Sequence, residues 1–180
     1  MPIPDFVLEL RRHVGTAPLP LVGVTAVILR GAEVLLGRRT DNGALTPITG
    51  IVDPGEEPAD AAVREALEEA GVEIRAEHLA WVHQIPRVTY DNGDQSDYLD
   101  LTFRCAWVSG DPVPVDGEMR DLAWHPVDAL TDISDDMRER IEALGGRLRV
   151  DSTPGRGTCV EARLPSATPT RVTAPSDVAG

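Results

Sequence analysis

Cysteine, long apolar segments and positive charge are all scarce or missing in this chain. Only two cysteines occur, Cys105 and Cys159, and they form neither a metal-binding pattern nor an evident disulfide framework. The sequence has no signal peptide and no apolar run of membrane-spanning length, so we expect a cytoplasmic protein without a membrane partner. Asp and Glu number 30 against 17 Lys and Arg, a net charge of −13, so we expect no nonspecific nucleic-acid partner.

Hydrophobic residues make up 42% of the 180 residues, enough for the core of one domain with an appendage. An amphipathic helix is predicted over residues 4–14, and another helix over residues 135–144. Extended segments are predicted at Leu21–Leu29, Glu33–Arg39, Leu79–Arg87, Tyr98–Val108 and Asp121–His125. The order of these elements indicates an α/β fold with a mixed sheet covered by helices.

A Gly/Pro/Asp-rich loop runs into a predicted helix between Gly50 and Val72. Pro58 suits the first turn of a helix, where its missing N–H is not needed. Gly71 stands where a C-terminal glycine cap is expected. The helix is therefore predicted from Pro58 to Ala70.

Three glutamates, Glu65, Glu68 and Glu69, share one face of this helix because they stand at positions i, i+3 and i+4. Neighbouring carboxylates repel one another unless a cation lies between them. Hard oxygen ligands favour Mg²⁺, with Mn²⁺ as a substitute, and Mg²⁺ held in this way recruits substrate phosphates. The face therefore indicates phosphate chemistry, whereas the plainer interpretation is an ordinary solvated acidic helix.

The same stretch resembles the Nudix box, Gly-x5-Glu-x7-Arg-Glu-U-x-Glu-Glu-x-Gly-U, in which U is aliphatic. Ala66 and Val72 fill the aliphatic positions, Ala66 with a small side chain. The fixed positions are occupied by Gly50, Glu56, Arg64, Glu65, Glu68, Glu69 and Gly71. The resemblance covers about residues 4–144 and implies a Nudix-type α/β/α sandwich.

The resemblance also implies roles for these residues. Mg²⁺ is expected on Glu65, Glu68 and Glu69, with the carbonyl of Gly50 as a further ligand. Glu68 or Glu69 is expected to orient the attacking water, and Arg64 to hold Glu68 and Glu56 by ion pairs. The expected substrate is a small nucleotide, namely a nucleoside diphosphate linked to another moiety. ADP-ribose-like nucleotide sugars and nucleoside triphosphates both remain open.

Candidates outside the box are less specific. Asp111 and Glu118 follow the long predicted strand, where a general base can come from in this family, although solvated loop acids are commoner. Arg38 and Arg39 stand at the end of a predicted strand and are candidates for substrate phosphate binding, although arginines at strand ends are usually solvated.

Residues 137–165 resemble the end of the ATP-binding domain of sensor histidine kinases, whose other motifs are not recognisable upstream. About thirty residues cannot form that nucleotide pocket, so we predict a β-hairpin over residues 145–165 and a disordered tail over residues 166–180. The domain boundaries are then 1–144, 145–165 and 166–180. We expect the hairpin to dock on its own Nudix domain or on a second chain, as in a homodimer.

Two alternatives to an enzyme remain. One is a Nudix-fold sensor that binds a nucleotide without cleaving it, against which the intact acidic triplet argues. The other is a histidine-kinase relative that binds ATP, which rests on residues 145–165 alone.

Overall fold

The computed structural model describes residues 3–130 and 132–142, and two further strands at 147–153 and 157–163. The helices are α1 (Asp5–Val14), α2 (Pro58–Ala70) and α3 (Asp135–Glu142), with a 3₁₀ turn at Val127–Ala129. The strands are β1 (Leu19–Arg30), β2 (Glu33–Arg39), β3 (Leu45–Thr46), β4 (Ile48–Ile51), β5 (Glu73–Gln84), β6 (Val88–Thr89), β7 (Gln95–Ser109), β8 (Met119–Pro126), β9 (Arg147–Thr153) and β10 (Gly157–Arg163).

Strand β1 is the centre of a mixed eight-stranded sheet in which β3, β2, β1, β7 and β5 follow one another. One edge of β1 pairs in parallel with β7, from Leu19 opposite Ser96 to Leu29 opposite Ala106. The other edge pairs antiparallel with β4 along its middle and with β2 at its end. Because β4 occupies this middle segment, β2 and β1 separate there, and β4 carries the chain directly into the loop before α2.

Both faces of the sheet are buried under helices. Alternate residues of a strand point to opposite faces, and β1 is apolar on both. Val24, Ala26 and Ile28 join one core with the alanines of α2. Val27 joins a second core with Ile141 of α3. The predicted α/β/α sandwich is confirmed.

The ends of α2 agree with the prediction. Pro58 occupies the first turn, and Gly71 ends the helix with a φ of 66°, a left-handed conformation that favours glycine. In strand β5 the outcome differs. The sequence predicts two separate extended segments, Val72–Ile74 and Leu79–Arg87, whereas the structure has one strand from Glu73 to Gln84. Its register against β7 shifts at three places, and such bulges break the alternation on which sequence prediction depends.

Strands β9 and β10 pair antiparallel from Arg147 opposite Arg163 to Thr153 opposite Gly157, as expected of a hairpin, and β9 lies near β5. The predicted tail, 166–180, lies outside the described residues. The domain boundaries therefore stay a prediction. Among the helices that the structure describes, none is long and apolar enough to cross a membrane.

Candidate active site

Helix α2 places its three glutamates at different depths. Its buried face is made of small side chains, which let the helix lie close to the sheet: Ala61, Ala62, Ala66 and Ala70. Glu65 and Glu69 enter this interface and are only 3% and 2% exposed, whereas the side chain of Glu68 is 54% exposed. The helix therefore carries two buried carboxyls and one at the surface.

Arg64 ties these acids to the loop before the helix. It donates from Nε and Nη2 to the two carboxylate oxygens of Glu56, at 2.8 and 2.9 Å. Its Nη1 donates to Glu65 at 2.9 Å and to Glu68 at 3.0 Å, and Nη2 also donates to the carbonyl of Ile51 at 3.1 Å. These hydrogen bonds hold the pKa of Glu56 below its usual range and raise the pKa of Arg64.

Strand β4 touches the acids at Gly50. A Cβ atom built on Gly50 would lie 2.1 Å from Cδ and 2.2 Å from Oε1 of Glu65. The glycine therefore leaves the space into which the Glu65 carboxyl fits, and it brings the backbone of β4 against that carboxyl.

Burial raises the pKa values of the two inner glutamates. The pKa of Glu65 rises from 4.5 to about 7, mainly through desolvation, although Arg64 opposes the rise. The pKa of Glu69 rises to about 8 through desolvation, the charge of Glu65 and the charge of Asp116. Oε2 of Glu69 is buried and has no hydrogen-bond partner among the described residues. Burial therefore outweighs the nearby positive charge at both carboxyls.

A cavity of about 210 Å³, which we call the glutamate cavity, opens over Glu65 and Glu68. It is lined by Pro4, Ile51, Asp53, Arg64, Glu65, Glu68 and Asp116. Asp116 is a member that the sequence analysis did not name. The loop that carries it docks on the end of α2, because Val113 N–H donates to the carbonyl of Ala70 (3.0 Å) and Val115 N–H to that of Glu69 (3.2 Å).

The two base candidates lie elsewhere on this loop. Asp111 is exposed and is not among the residues described around the cavity. Glu118 is half-buried at the start of β8, and its carbonyl accepts hydrogen bonds from the N–H and Oγ1 of Thr40. Three acids share this loop in sequence, and only its docking on α2 determines that Asp116 faces the glutamates.

The two arginines at the end of β2 have different partners. Arg38 donates to the carbonyl of Gly43 at 3.1 Å and pairs with Asp132. Arg39 donates from Nε and Nη2 to Asp41, at 2.9 and 2.5 Å. Its charge also opposes the rise that burial causes in the pKa of Glu69. Of these two strand arginines, Arg39 is thus the one near Glu69.

Comparison with known proteins identifies the family. The family model of the NUDIX domain matches residues 19–144, most of the chain. The chain belongs to the Nudix family. The predicted resemblance is thereby confirmed.

Several curated Nudix relatives carry the name NAD-capped RNA hydrolase NudC. The protein of Pseudomonas aeruginosa is 34% identical over 106 residues, which are 58% of this chain and 35% of that protein. The protein of Chromobacterium violaceum is 30% identical over 129 residues, which are 68% of this chain and 46% of that protein. The chain thus spans less than half the length of these relatives.

Solved Nudix structures resemble the chain over a larger share of their length. A NUDIX hydrolase from Nitrosomonas europaea is 30% identical and has a TM-score of 0.57, covering 69% of this chain and 88% of that one. A MutT NUDIX hydrolase from Burkholderia pseudomallei is 27% identical with a TM-score of 0.57, covering 69% of this chain and 98% of that one. The chain is therefore a member of a hydrolase family.

Nudix hydrolases generally use divalent metals, and the donor set here consists of carboxylate oxygens, which are hard ligands. The buried, unpartnered Oε2 of Glu69 and the raised pKa values fit a site that accepts positive charge. Among the described side chains, however, no three acids, histidines or cysteines converge closely enough to enclose an ion. Glu65, Glu68 and Glu69 would hold such a cation, with water completing its ligands.

Proposed function

We propose that this chain is a Mg²⁺-dependent pyrophosphohydrolase, with Mn²⁺ as a substitute, that cleaves a nucleoside diphosphate linked to another moiety. The proposal is carried by the two buried carboxyls of Glu65 and Glu69 on α2, of which Glu65 lies against Gly50 in a cavity that Arg64 also lines. Burying two acids side by side costs stability, and a structural salt bridge needs only one of them. A site that binds cations and phosphates would explain why two acids are buried here.

In the proposed reaction, water attacks one phosphorus atom and the bond from that phosphorus to the bridging oxygen breaks. The second phosphate leaves with the bridging oxygen and its electrons. Mg²⁺ on Glu65, Glu68, Glu69 and the Gly50 carbonyl would supply positive charge for the phosphate oxygens. Glu68, exposed at the cavity, orients the water and receives its proton.

In this proposal, Arg64 positions the carboxylates and Arg39 positions the substrate. Arg64 holds Glu65 and Glu68 from one guanidinium nitrogen, so it fixes their spacing. Arg39 contacts a substrate phosphate after exchanging its partner Asp41 for that phosphate. Asp116 is the loop acid best positioned to add a carboxylate, ahead of Asp111 and Glu118, which stay alternative bases.

Dinucleotide-like diphosphates such as NAD⁺ lead the proposed substrates, because relatives carry the name NAD-capped RNA hydrolase. ADP-ribose-like compounds follow, and nucleoside triphosphates come next. The expectation of no nucleic-acid partner stays a prediction, and the name of those relatives makes a capped RNA worth including in any assay. A homodimer is likewise proposed.

The deciding experiment is a substrate panel assayed with and without Mg²⁺, with the products identified. NAD⁺, ADP-ribose, dGTP and a NAD-capped RNA are incubated with the full chain. We expect hydrolysis only with Mg²⁺ or Mn²⁺, with NAD⁺ and water yielding AMP and nicotinamide mononucleotide. Absence of hydrolysis on every substrate would contradict an enzymatic function.

A nucleotide sensor that does not cleave its ligand is the second candidate. One observation favours it: among the described residues, no three acids lie close enough together to enclose an ion. Calorimetric binding of a panel nucleotide with no turnover would support it, whereas turnover would exclude it.

A further inference from the structure

A second cavity, of about 400 Å³, lies beside the glutamate cavity, between α1, the start of β1 and the loop before α2. We call it the apolar crevice. Its apolar walls are Phe6, Pro20, Val22, Val52, Pro54 and Pro58. Its volume falls within the range of small-molecule sites, roughly 300–1,000 Å³. None of the reactions described above uses it.

The crevice adjoins the glutamate cavity. Asp53 lines both, and the chain passes from Ile51 in the one to Val52 in the other. Glu56 lines the crevice and accepts hydrogen bonds from Arg64, which lines the glutamate cavity. A molecule with its phosphates over the glutamates therefore has the crevice within reach of one of its ends.

The side chains of the crevice specify what that end is. Among the residues described around it, none is an arginine, lysine or histidine. Its acids are Asp53 and Glu56, and both oxygens of Glu56 already accept hydrogen bonds from Arg64. A phosphate would face carboxylates and apolar walls there, which is unfavourable. Flat proline and phenylalanine surfaces suit a ring, and the exposed Asp53 suits a positive or N–H-bearing one.

We propose that the apolar crevice binds an uncharged or cationic heterocycle attached to one end of the substrate diphosphate. This inference rests on the proposed function, since it takes the glutamate cavity as the phosphate site. It makes the crevice a determinant of substrate affinity: a diphosphate that carries a ring gains binding there, and bare pyrophosphate gains none.

Val22 offers the sharpest test. It is 39% exposed on β1, and its backbone carbonyl accepts a hydrogen bond from Val52 N–H at 3.0 Å, which a change of side chain leaves in place. Val22→Arg fills the crevice and brings a guanidinium to Asp53. Val82→Arg is the matched control, because Val82 is a strand valine with 40% exposure outside the crevice.

Calorimetric binding of NAD⁺ and of inorganic pyrophosphate is measured for each variant, together with hydrolysis of NAD⁺. We expect Val22→Arg to weaken NAD⁺ binding and raise its KM by about tenfold, with kcat and pyrophosphate binding nearly unchanged. Val82→Arg should match the wild type on every count. Equal NAD⁺ affinity in the two variants would overturn the proposal.

Pro54→Arg, in the exposed loop of the crevice, repeats the test if circular dichroism shows that Val22→Arg does not fold, with Pro86→Arg as its exposed control. NAD⁺ binding that is weaker in Pro54→Arg but not in Pro86→Arg supports the proposal, and unchanged binding in Pro54→Arg overturns it. A wild type that binds NAD⁺ but hydrolyses nothing refutes the proposed function while leaving the binding comparison valid.

Discussion

At the scale of single residues, two acids of α2 are almost fully buried. Glu65 and Glu69 have pKa values raised by burial to about 7 and about 8, against 4.5 for an ordinary glutamate. Between pH 4.5 and these raised pKa values, the two carboxyls are ionised in the unfolded chain but stay protonated in the folded protein. The two groups therefore stabilise the metal-free fold fully below pH 4.5, and this contribution is lost as pH rises to about 8.

We expect the free energy of unfolding of the metal-free protein to fall between pH 4.5 and about 8. One pKa unit corresponds to about 1.4 kcal/mol, so the rises from 4.5 to about 7 and to about 8 set an upper limit of about 8 kcal/mol on the loss. Glu69→Gln removes the largest part of this loss and should be more stable than the wild type at pH 8. Urea unfolding in EDTA at pH 5 and pH 8 measures the difference.

Glu139→Gln, an exposed change on α3, serves as the control and should keep the wild-type pH dependence. Added Mg²⁺ should stabilise the wild type at pH 8 more than it stabilises Glu69→Gln. A wild type whose stability is flat across this pH range would show that the two carboxyls are not desolvated.

Glu68→Gln tests the proposed chemistry with little change in shape. The side chain is exposed, so the fold should be retained, and Arg64 keeps its bonds to Glu56 and Glu65. We expect kcat to fall roughly 10²–10³-fold, the usual value of one charge-stabilising group. Steady-state kinetics with thermal melting checks both parts, and near-normal turnover with an unchanged Mg²⁺ requirement would count against the assignment.

Residues at fixed spacing could be predicted from the sequence, and residues set by docking could not. One helix turn brings Glu65 and Glu69 to one face, so local periodicity was sufficient for them. Asp116 reaches the same cavity only because Val113 and Val115 bond to the end of α2. That contact joins two distant segments, and nothing in the local sequence distinguishes Asp116 from the other loop acids.

At the scale of elements, α3 is fastened to the sheet by a buried cation. Arg140 is 1% exposed and donates to Asp100 at 3.0 Å, to Asp136 at 3.1 Å and to Thr25. Asp100 also accepts from the hydroxyls of Thr25 (2.9 Å) and Thr102 (2.8 Å). The carboxylate is therefore fully satisfied, and its charge is matched only while α3 is in place.

Arg140→Met should be strongly destabilising, because it leaves Asp100 charged and buried without its cation. Breaking a buried pair on one side costs roughly 3–5 kcal/mol. Arg87→Met removes a surface pair with Asp97, at 51% side-chain exposure, and should change stability far less, because solvent screens an exposed ion pair. Urea midpoints compare the two variants.

Adding Asp100→Asn to Arg140→Met removes the stranded charge and should restore part of the lost stability. An Arg140→Met protein as stable as Arg87→Met would mean that α3 does not depend on this contact. The sequence predicted a helix over residues 135–144. An arginine on a short polar helix is usually solvated, so the burial of Arg140 against the sheet could not be predicted.

At the scale of the whole molecule, the sandwich could be predicted and the role of the last segment could not. Strands such as Tyr98–Val108 alternate clearly, and the box placed the helix between them. The hairpin of β9 and β10 was predicted from its glycine-rich turn, yet its partner surface depends on packing that no local pattern records. Its closeness to β5 favours docking on its own domain.

Deletion from Gly145 onward should leave hydrolysis largely intact, because the acids and the cavity lie entirely within residues 4–116. Stability should fall, or the oligomeric state should change, since one apolar face of the hairpin needs a partner surface. Activity assays, thermal melting and light scattering on the truncated protein test this. A truncated protein that is folded, unchanged in oligomeric state and inactive would place the tail in the active site.

The parallel pairing of β1 with β7 also has a consequence for the order of folding. It joins Leu19 to Ser96 and Leu29 to Ala106, so most of the domain is looped out between the two strands. Closing so long a loop costs chain entropy before the compensating contacts between the strands can form, and this cost slows folding. Helix α2 lies within that loop and packs on both strands. During synthesis, we therefore expect α2 to complete its packing on the two strands only after β7 has left the ribosome.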